Sequence, residues 1–175
     1  MIEGRGIIES VEIARQKVEG LGGVFKSNYA FKDIIFVPRK ETYNLTDDFL
    51  RVRVLSKNNW NTKNVILVRK KTEFQKIGKI DKVALRKEFD TEKEALNFIE
   101  KELGKDFDFG FEFSRQGWQY QLGKNRVFIE DIEKYRPSLE IEADNEQELK
   151  DLFTKLQVKK QVKQSMPEVM KNLLK

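Results

Sequence analysis

Two stretches, LRVRV at 50–54 and LEIEAD at 139–144, decide how this chain is read. Side chains alternate along an extended strand, so Arg51 and Arg53 share one face and Leu50, Val52 and Val54 the other. Glu140 and Glu142 alternate with Leu139 and Ile141 in the same way. A sheet presenting a pair of each sign can hold a polyphosphate on its arginines and metal ions on its carboxylates.

Similar alternation extends outward from these two stretches. Strands are expected at Val24–Val37, stopped by Pro38, and at Phe49–Leu55 and Val65–Lys71, the last two joined by an Asn-rich turn over Ser56–Asn64. Further strands are expected at Val83–Asp90, Phe109–Phe113, Trp118–Leu122, Val127–Ile132 and Ser138–Ala143. Helical periodicity marks Glu9–Leu21, with apolar Val11, Ile13, Ala14, Val18 and Leu21 ahead of Gly22-Gly23. Thr91 with Glu94 forms a capping box before a helix burying Ala95, Leu96, Phe98, Ile99 and Leu103. Asp144 or Asn145 can cap a helix with Leu149, Leu152, Phe153 and Leu156 on its apolar face, and Pro167 suits the first turn of a short final helix. About eight strands with three or four interspersed helices make an α+β chain. We expect a closed eight-stranded antiparallel β-barrel with flanking helices, forming one domain over residues 1–175, because closure removes exposed edges and leaves room for one ligand.

Composition narrows the chemistry. The 175 residues include no Cys and no His, which excludes disulfides, thiol nucleophiles, imidazole bases and zinc held by Cys or His. Any metal must sit on oxygen ligands, which favours magnesium or manganese held by carboxylates and by a substrate's own phosphates. With 36% charged and 39% hydrophobic residues the chain carries no apolar run long enough for a membrane span, and no secretory signal is visible, so a cytoplasmic location is expected. The charge of +5, from 34 basic and 29 acidic residues, points only weakly to an anionic partner. A Lys/Glu-rich surface also suits a thermophile. Within MIEGRG at 1–6, Ile2–Arg5 matches the recognition sequence of a tag-removing protease, and the segment reads about equally well as native.

Charges on one alternating strand ordinarily form the wet face of a half-buried sheet. Several such strands in a closed sheet change that reading, because helices outside would take the apolar face and leave the charges inside. Arginine forks would then meet phosphate oxygens, with carboxylates holding the divalent ion that neutralises the same phosphates.

In order and spacing, LRVRV, the Arg86-x-Glu88 strand, RQGWQY at 115–120, FIEDIE at 128–133 and LEIEAD resemble the successive strands of the CYTH superfamily. ARQKVEGLGG at 14–23 and KQSMPEVM at 163–170 are similar to their counterparts in archaeal members. That superfamily includes class IV adenylyl cyclases, thiamine triphosphatases and inorganic triphosphatases, and the resemblance implies a triphosphate tunnel. It implies phosphate-binding roles for Arg5, Arg51, Arg53, Arg86, Arg115 and either Arg69 or Lys70. It further implies metal-binding roles for Glu3, Glu88, Glu140 and Glu142, with Glu130 or Asp131 as an addition, and places Glu140, Glu142 and Arg53 closest to the chemistry. Two positions depart from the pattern. Met1 stands where the N-terminal E-x-E-x-K signature has its first glutamate, and Gly117 stands where a K-x-R pair has its arginine. Both departures fall on charge that would hold a metal or stabilise a transition state, where a single donor is worth about 2.7 to 4 kcal/mol.

The expected ligand is a triphosphate-bearing small molecule: ATP, tripolyphosphate or thiamine triphosphate. Metal-dependent hydrolysis is preferred over cyclisation, because it needs only a polyphosphate site, whereas a cyclase also needs a base pocket. A binder without catalysis is the second class, motivated by Met1 and Gly117. Nucleic-acid binding through Arg69–Lys71, Trp60, Trp118 and Tyr120 is disfavoured, since same-face aromatics commonly pack on a sheet, and the basic run Lys155–Lys163 reads as a solvated helix end. The reading admits a homodimer.

Overall fold

The computed structural model describes residues 1–58 and 63–174, so Trp60 and the tip of the Asn-rich turn lie outside the described residues. The elements run β1 (Ile2–Ile7), α1 (Val11–Gly20), β2 (Val24–Pro38), β3 (Asp48–Asn58), β4 (Val65–Phe74), β5 (Lys79–Phe89), α2 (Glu92–Leu103), β6 (Phe107–Leu122), β7 (Asn125–Ile132), β8 (Ser138–Ala143), α3 (Glu146–Lys155), β9 (Lys160–Val162) and α4 (Met166–Leu173). The sheet order is β5-β4-β3-β2-β6-β7-β8-β1-β9, and a further pairing of β5 with β1 closes strands β1 to β8 into the expected antiparallel barrel.

Three elements differ from the sequence reading. First, Phe109–Phe113 and Trp118–Leu122 belong to one continuous strand, β6. The polar SRQG at 114–117 looks like a turn, yet alternation persists through it, with Arg115 and Gly117 buried and Ser114 and Gln116 exposed. The buried side is simply not apolar there. Second, β1 is a full strand although only half of it is apolar. Third, the basic run after α3 is not a solvated helix end, because Lys160–Val162 forms β9 against β1. The free edge of β1 is therefore shared: Glu3 faces Lys79 of β5, while Arg5, Gly6 and Ile7 face Val162, Gln161 and Lys160.

The chain divides into two compact units. One comprises Met1–Tyr29, Glu73–Ile80 and Arg115–Lys163, the other Ala30–Thr72, Asp81–Ser114 and Gln164–Lys175. In the first, α1 and α3 cover one face of the sheet through Ala14, Val18, Leu149, Leu152 and Leu156, which pack on Val127, Ile129, Leu139 and Ile141. Each such leucine is worth about 1.5–3 kcal/mol of burial. Close approach of α3 depends on glycine, since a Cβ at Gly4 would lie 2.6 Å from Leu149 and one at Gly6 would lie 2.1 Å from Val158. Asn145 supplies the cap of α3, accepting from the Glu148 amide at 3.0 Å.

In the second unit α2 covers Ile34, Phe36, Leu50, Val52, Val65 and Leu67 with Ala95 and Ile99. Thr91 accepts from the Glu94 amide at 3.2 Å, while the Glu94 carboxylate reaches back to the amide of Asp90, one residue before the cap. Pro167 sits in the first turn of α4, behind the Ser165 cap. The buried Glu168 of α4 accepts from the Leu45 amide at 2.8 Å, fastening the β2–β3 connection.

Candidate functional site

Because helices take the apolar face of each unit, the face turned away from them carries the charges. In the first unit that face is built by β6, β7, β8 and β1. Register places Arg5 opposite Glu140, Glu3 opposite Glu142, Arg126 opposite the same Glu142, Glu130 opposite Ser138, and Gly117 opposite Glu130. At its centre lies a buried ionic cluster. Arg5 donates from Nη1 to Glu130 Oε2 at 2.6 Å and to Ser138 Oγ at 2.9 Å, and from Nη2 to Glu140 Oε2 at 2.9 Å. Arg115 Nη1 donates to Glu130 Oε2 at 3.2 Å, and the Tyr29 hydroxyl donates to Glu130 Oε1 at 2.7 Å. Burial alone would push the Glu130 carboxyl up, but Arg5 and Arg115 beside it, with the Tyr29 hydrogen bond, hold it below the usual carboxylate value.

The remaining carboxylates of this face also meet cations. Glu3 lies 3.1 Å from Lys79 Nζ, and Glu142 pairs with Arg126. Burial pushes the Glu142 carboxyl above its ordinary value, and the charges of Glu3 and Glu140 add to the shift against the pull of Arg126. Three oxygen-donor carboxylates on neighbouring strands, repelling one another in a half-buried setting, suit magnesium or manganese in kind. Among the described residues, however, no three acidic side chains are gathered into a ready coordination shell. A cation would enter by displacing Lys79, Arg5 or Arg126 from its carboxylate.

In the second unit Arg53 grips Asp33 with both arms of its fork, Nε to Oδ1 at 2.8 Å and Nη2 to Oδ2 at 2.9 Å, and Arg51 Nε lies 3.7 Å from the same Oδ1. Asp33 is 0% exposed. The Arg53 guanidinium also stacks on Phe31, 3.6 Å from the ring centre. Register settles the choice between Arg69 and Lys70. Lys70 faces Phe49, which puts it on the Arg51 and Arg53 face, where it reaches Asp81 at 2.6 Å. Arg69 faces Leu50 on the helix-covered side, forks onto Asp48 at 2.9 and 2.6 Å and lies over Phe107. Arg69 is therefore placed off the site. Arg86 and Glu88 bond to each other at 3.0 Å, with side chains 50% and 40% exposed.

Of Glu130 and Asp131, only Glu130 turns inward, where it is the hub of an ion cluster; Asp131 is exposed and accepts from Gln116. Trp118 and Tyr120 face α1, as expected of a packing pair: Arg15 lies 5.3 Å from the Trp118 ring centre, and the buried Tyr120 accepts from Arg15 Nε and donates to Glu19. Sequence reasoning missed Tyr29, Asp33, Lys79 and Arg126. Asp33 left a trace, as a lone acid inside the apolar run AFKDIIFV at 30–37.

No protein-family model matches the sequence, and no curated protein matches it. Solved structures do share its fold. Protein PH1819 of Pyrococcus horikoshii aligns with a TM-score of 0.76 at 18% identity over 97% of both chains. PH1012 of the same organism aligns at 0.69 with 22% identity over 90% of both. The candidate adenylyl cyclase HpAC1 from Hippeastrum, described as having a dominant triphosphatase activity, aligns at 0.71 with 13% identity over 98% of this chain and 95% of that one. No helix of the described residues is long and apolar enough to cross a membrane. The closed antiparallel sheet and these likenesses converge on one conclusion about architecture: the chain shares the fold of these solved structures.

Proposed function

We propose that the protein binds a triphosphate or nucleotide polyphosphate together with magnesium or manganese, and hydrolyses it in a metal-dependent reaction. The observation that carries the reading is the inward-facing set Arg51, Arg53 and Lys70, cations held on the sheet by Asp33 and Asp81. Forked guanidinium groups with fixed planes match phosphate oxygens, and Asp33 fixes the plane of Arg53 before any ligand arrives. Glu3, Glu140 and Glu142 are the residues that would hold the metal, with Arg5 and Arg115 alongside. When bound, such a metal supplies Lewis-acid neutralisation of phosphate charge. The chain's own part is to orient the phosphates, and a carboxylate takes the proton of the attacking water, since the sequence has no His. The dominant triphosphatase activity described for HpAC1 favours hydrolysis over cyclisation. The same reading puts the protein in the cytoplasm, where nucleoside triphosphates are supplied.

One observation favours binding without turnover as the second reading. Glu3, Glu140 and Glu142 are each neutralised by an internal cation, so a metal competes with Lys79, Arg5 and Arg126 for its ligands. Calorimetry with tripolyphosphate and with ATP, combined with assays for phosphate, pyrophosphate and cyclic AMP in magnesium and in manganese, separates the two. Phosphate release lost in Arg53→Ala and Glu140→Gln supports hydrolysis. Tight binding with no product supports the binder, and no binding in either metal sinks both.

A further inference from the structure

Gly117 and Tyr29 occupy one space. A Cβ built at Gly117 would lie 2.4 Å from both Cζ and Oη of Tyr29, so the bare backbone at 117 is what lets the phenol lie against β6. From there the hydroxyl reaches Glu130 Oε1 at 2.7 Å, and Glu130 is the residue directly opposite Gly117 across the β6–β7 ladder. The ring is 3% exposed and meets Phe128 edge-on, with centroids 6.4 Å apart. Burial and the Glu130 charge push the phenol well above its ordinary value, so it stays a donor. Glu130 is thereby held on both oxygens: Oε1 by Tyr29, Oε2 by Arg5 at 2.6 Å and Arg115 at 3.2 Å.

We propose that Tyr29 is a positioning residue, which fixes Glu130 and through it the guanidinium groups of Arg5 and Arg115; as a role in ligand binding this rests on the polyphosphate reading above. The absent side chain at 117 is then an exchange and not a simple loss: space a basic residue would fill is given to a buried donor that orders two existing cations. Preorganised cations bind a polyanion more tightly than mobile ones because their ordering is complete before binding. The groups facing Glu130 are Arg5 from β1, Tyr29 from β2, Arg115 from β6, and Ser138 and Glu140 from β8.

The test is Tyr29→Phe, which removes one oxygen and keeps the ring. Calorimetry with tripolyphosphate at pH 7.5 is expected to show a Kd raised about three- to tenfold, the scale of one ordinary net hydrogen bond, since the effect reaches the ligand only through Arg5 and Arg115. The acid limb of thermal unfolding should also move to higher pH, because Glu130 loses one of the contacts that hold its carboxyl low. Gly117→Ala, which drives the ring away, should reproduce the weakened binding, and the double variant should add no further loss. If Gly117→Ala does not fold, Tyr29→Phe decides alone. Wild-type binding by Tyr29→Phe with an unmoved acid limb overturns the proposal. If the wild-type protein binds no tripolyphosphate, the polyphosphate reading has failed, and the acid limb alone then decides: a shift keeps Tyr29 as the residue that positions Glu130, and none overturns it.

Discussion

Glu130 is the hub of a buried ion cluster that joins Arg5, Arg115 and Tyr29. The Glu130 carboxylate holds two buried arginines, and removing its charge breaks the centre of a buried ion cluster, so Glu130→Gln should cost about 3 to 5 kcal/mol by urea denaturation at pH 7. The cost depends on pH. A carboxyl held low in the folded state stabilises the fold above its unfolded value, and that stabilisation is lost as pH falls through the folded value. The gap between wild type and Glu130→Gln should therefore be widest near neutrality and close on acidification. Glu142 should behave in the opposite sense. Its carboxyl is pushed up by burial and by Glu3 and Glu140, so ionisation disfavours the folded state. Glu142→Gln should melt at a higher temperature than wild type at pH 7 in the absence of metal, and under the proposed metal-binding role it should also weaken manganese binding, a separation readable by calorimetry with and without manganese.

At the level of elements, the packing of α3, and of Val158 just beyond it, on β1 rests on the absence of two side chains. Gly4→Ala would press a methyl into Leu149 and Phe153, and such overpacking costs roughly 1–3 kcal/mol. A chemical-denaturation midpoint lowered by that amount, restored in part by Leu149→Ala in the same chain, would verify the contact. Alternation made most strands legible in the sequence, because the apolar half of each, as in Leu50, Val52 and Val54, records which face meets a helix. It failed where the buried half is polar. Arg115 and Gly117 interrupt an apolar pattern without interrupting the strand, and the short β1 reads as half apolar because Gly4 and Gly6 stand where larger residues would collide with α3 and Val158. The site was legible as a set of charges on shared faces, but not in its pairings. Sequence periodicity cannot tell Arg69 from Lys70 until register fixes which one faces Phe49, and it holds no sign that Tyr29 meets Glu130 from 101 positions away.

For the molecule as a whole, any ligand that binds only the folded chain would add to its stability. If the folded chain alone binds tripolyphosphate, ligand at about a hundred times its Kd should stabilise it by about 2.7 kcal/mol, a rise of roughly 5 to 10 °C for a chain of this size. Arg53→Ala should abolish most of that rise and Arg69→Ala should leave it unchanged, since Arg69 lies on the helix-covered side. The divided edge of β1 has a consequence for the order of assembly. Arg5 meets Glu140 across 135 positions of chain, and β9 joins later still, so β1 waits for most of its partners until β8 and β9 have been made. Loop closure over that span is costly and slow, and β1 is expected to dock late. In pulse-labelling hydrogen exchange during refolding, β1 amides should gain protection after those of the β3–β4 hairpin, whose partners are near neighbours in sequence. Until then β8 offers an open edge, and the growing chain is most exposed to mispairing with its own copies in the interval before β1 is taken up between β8 and β9.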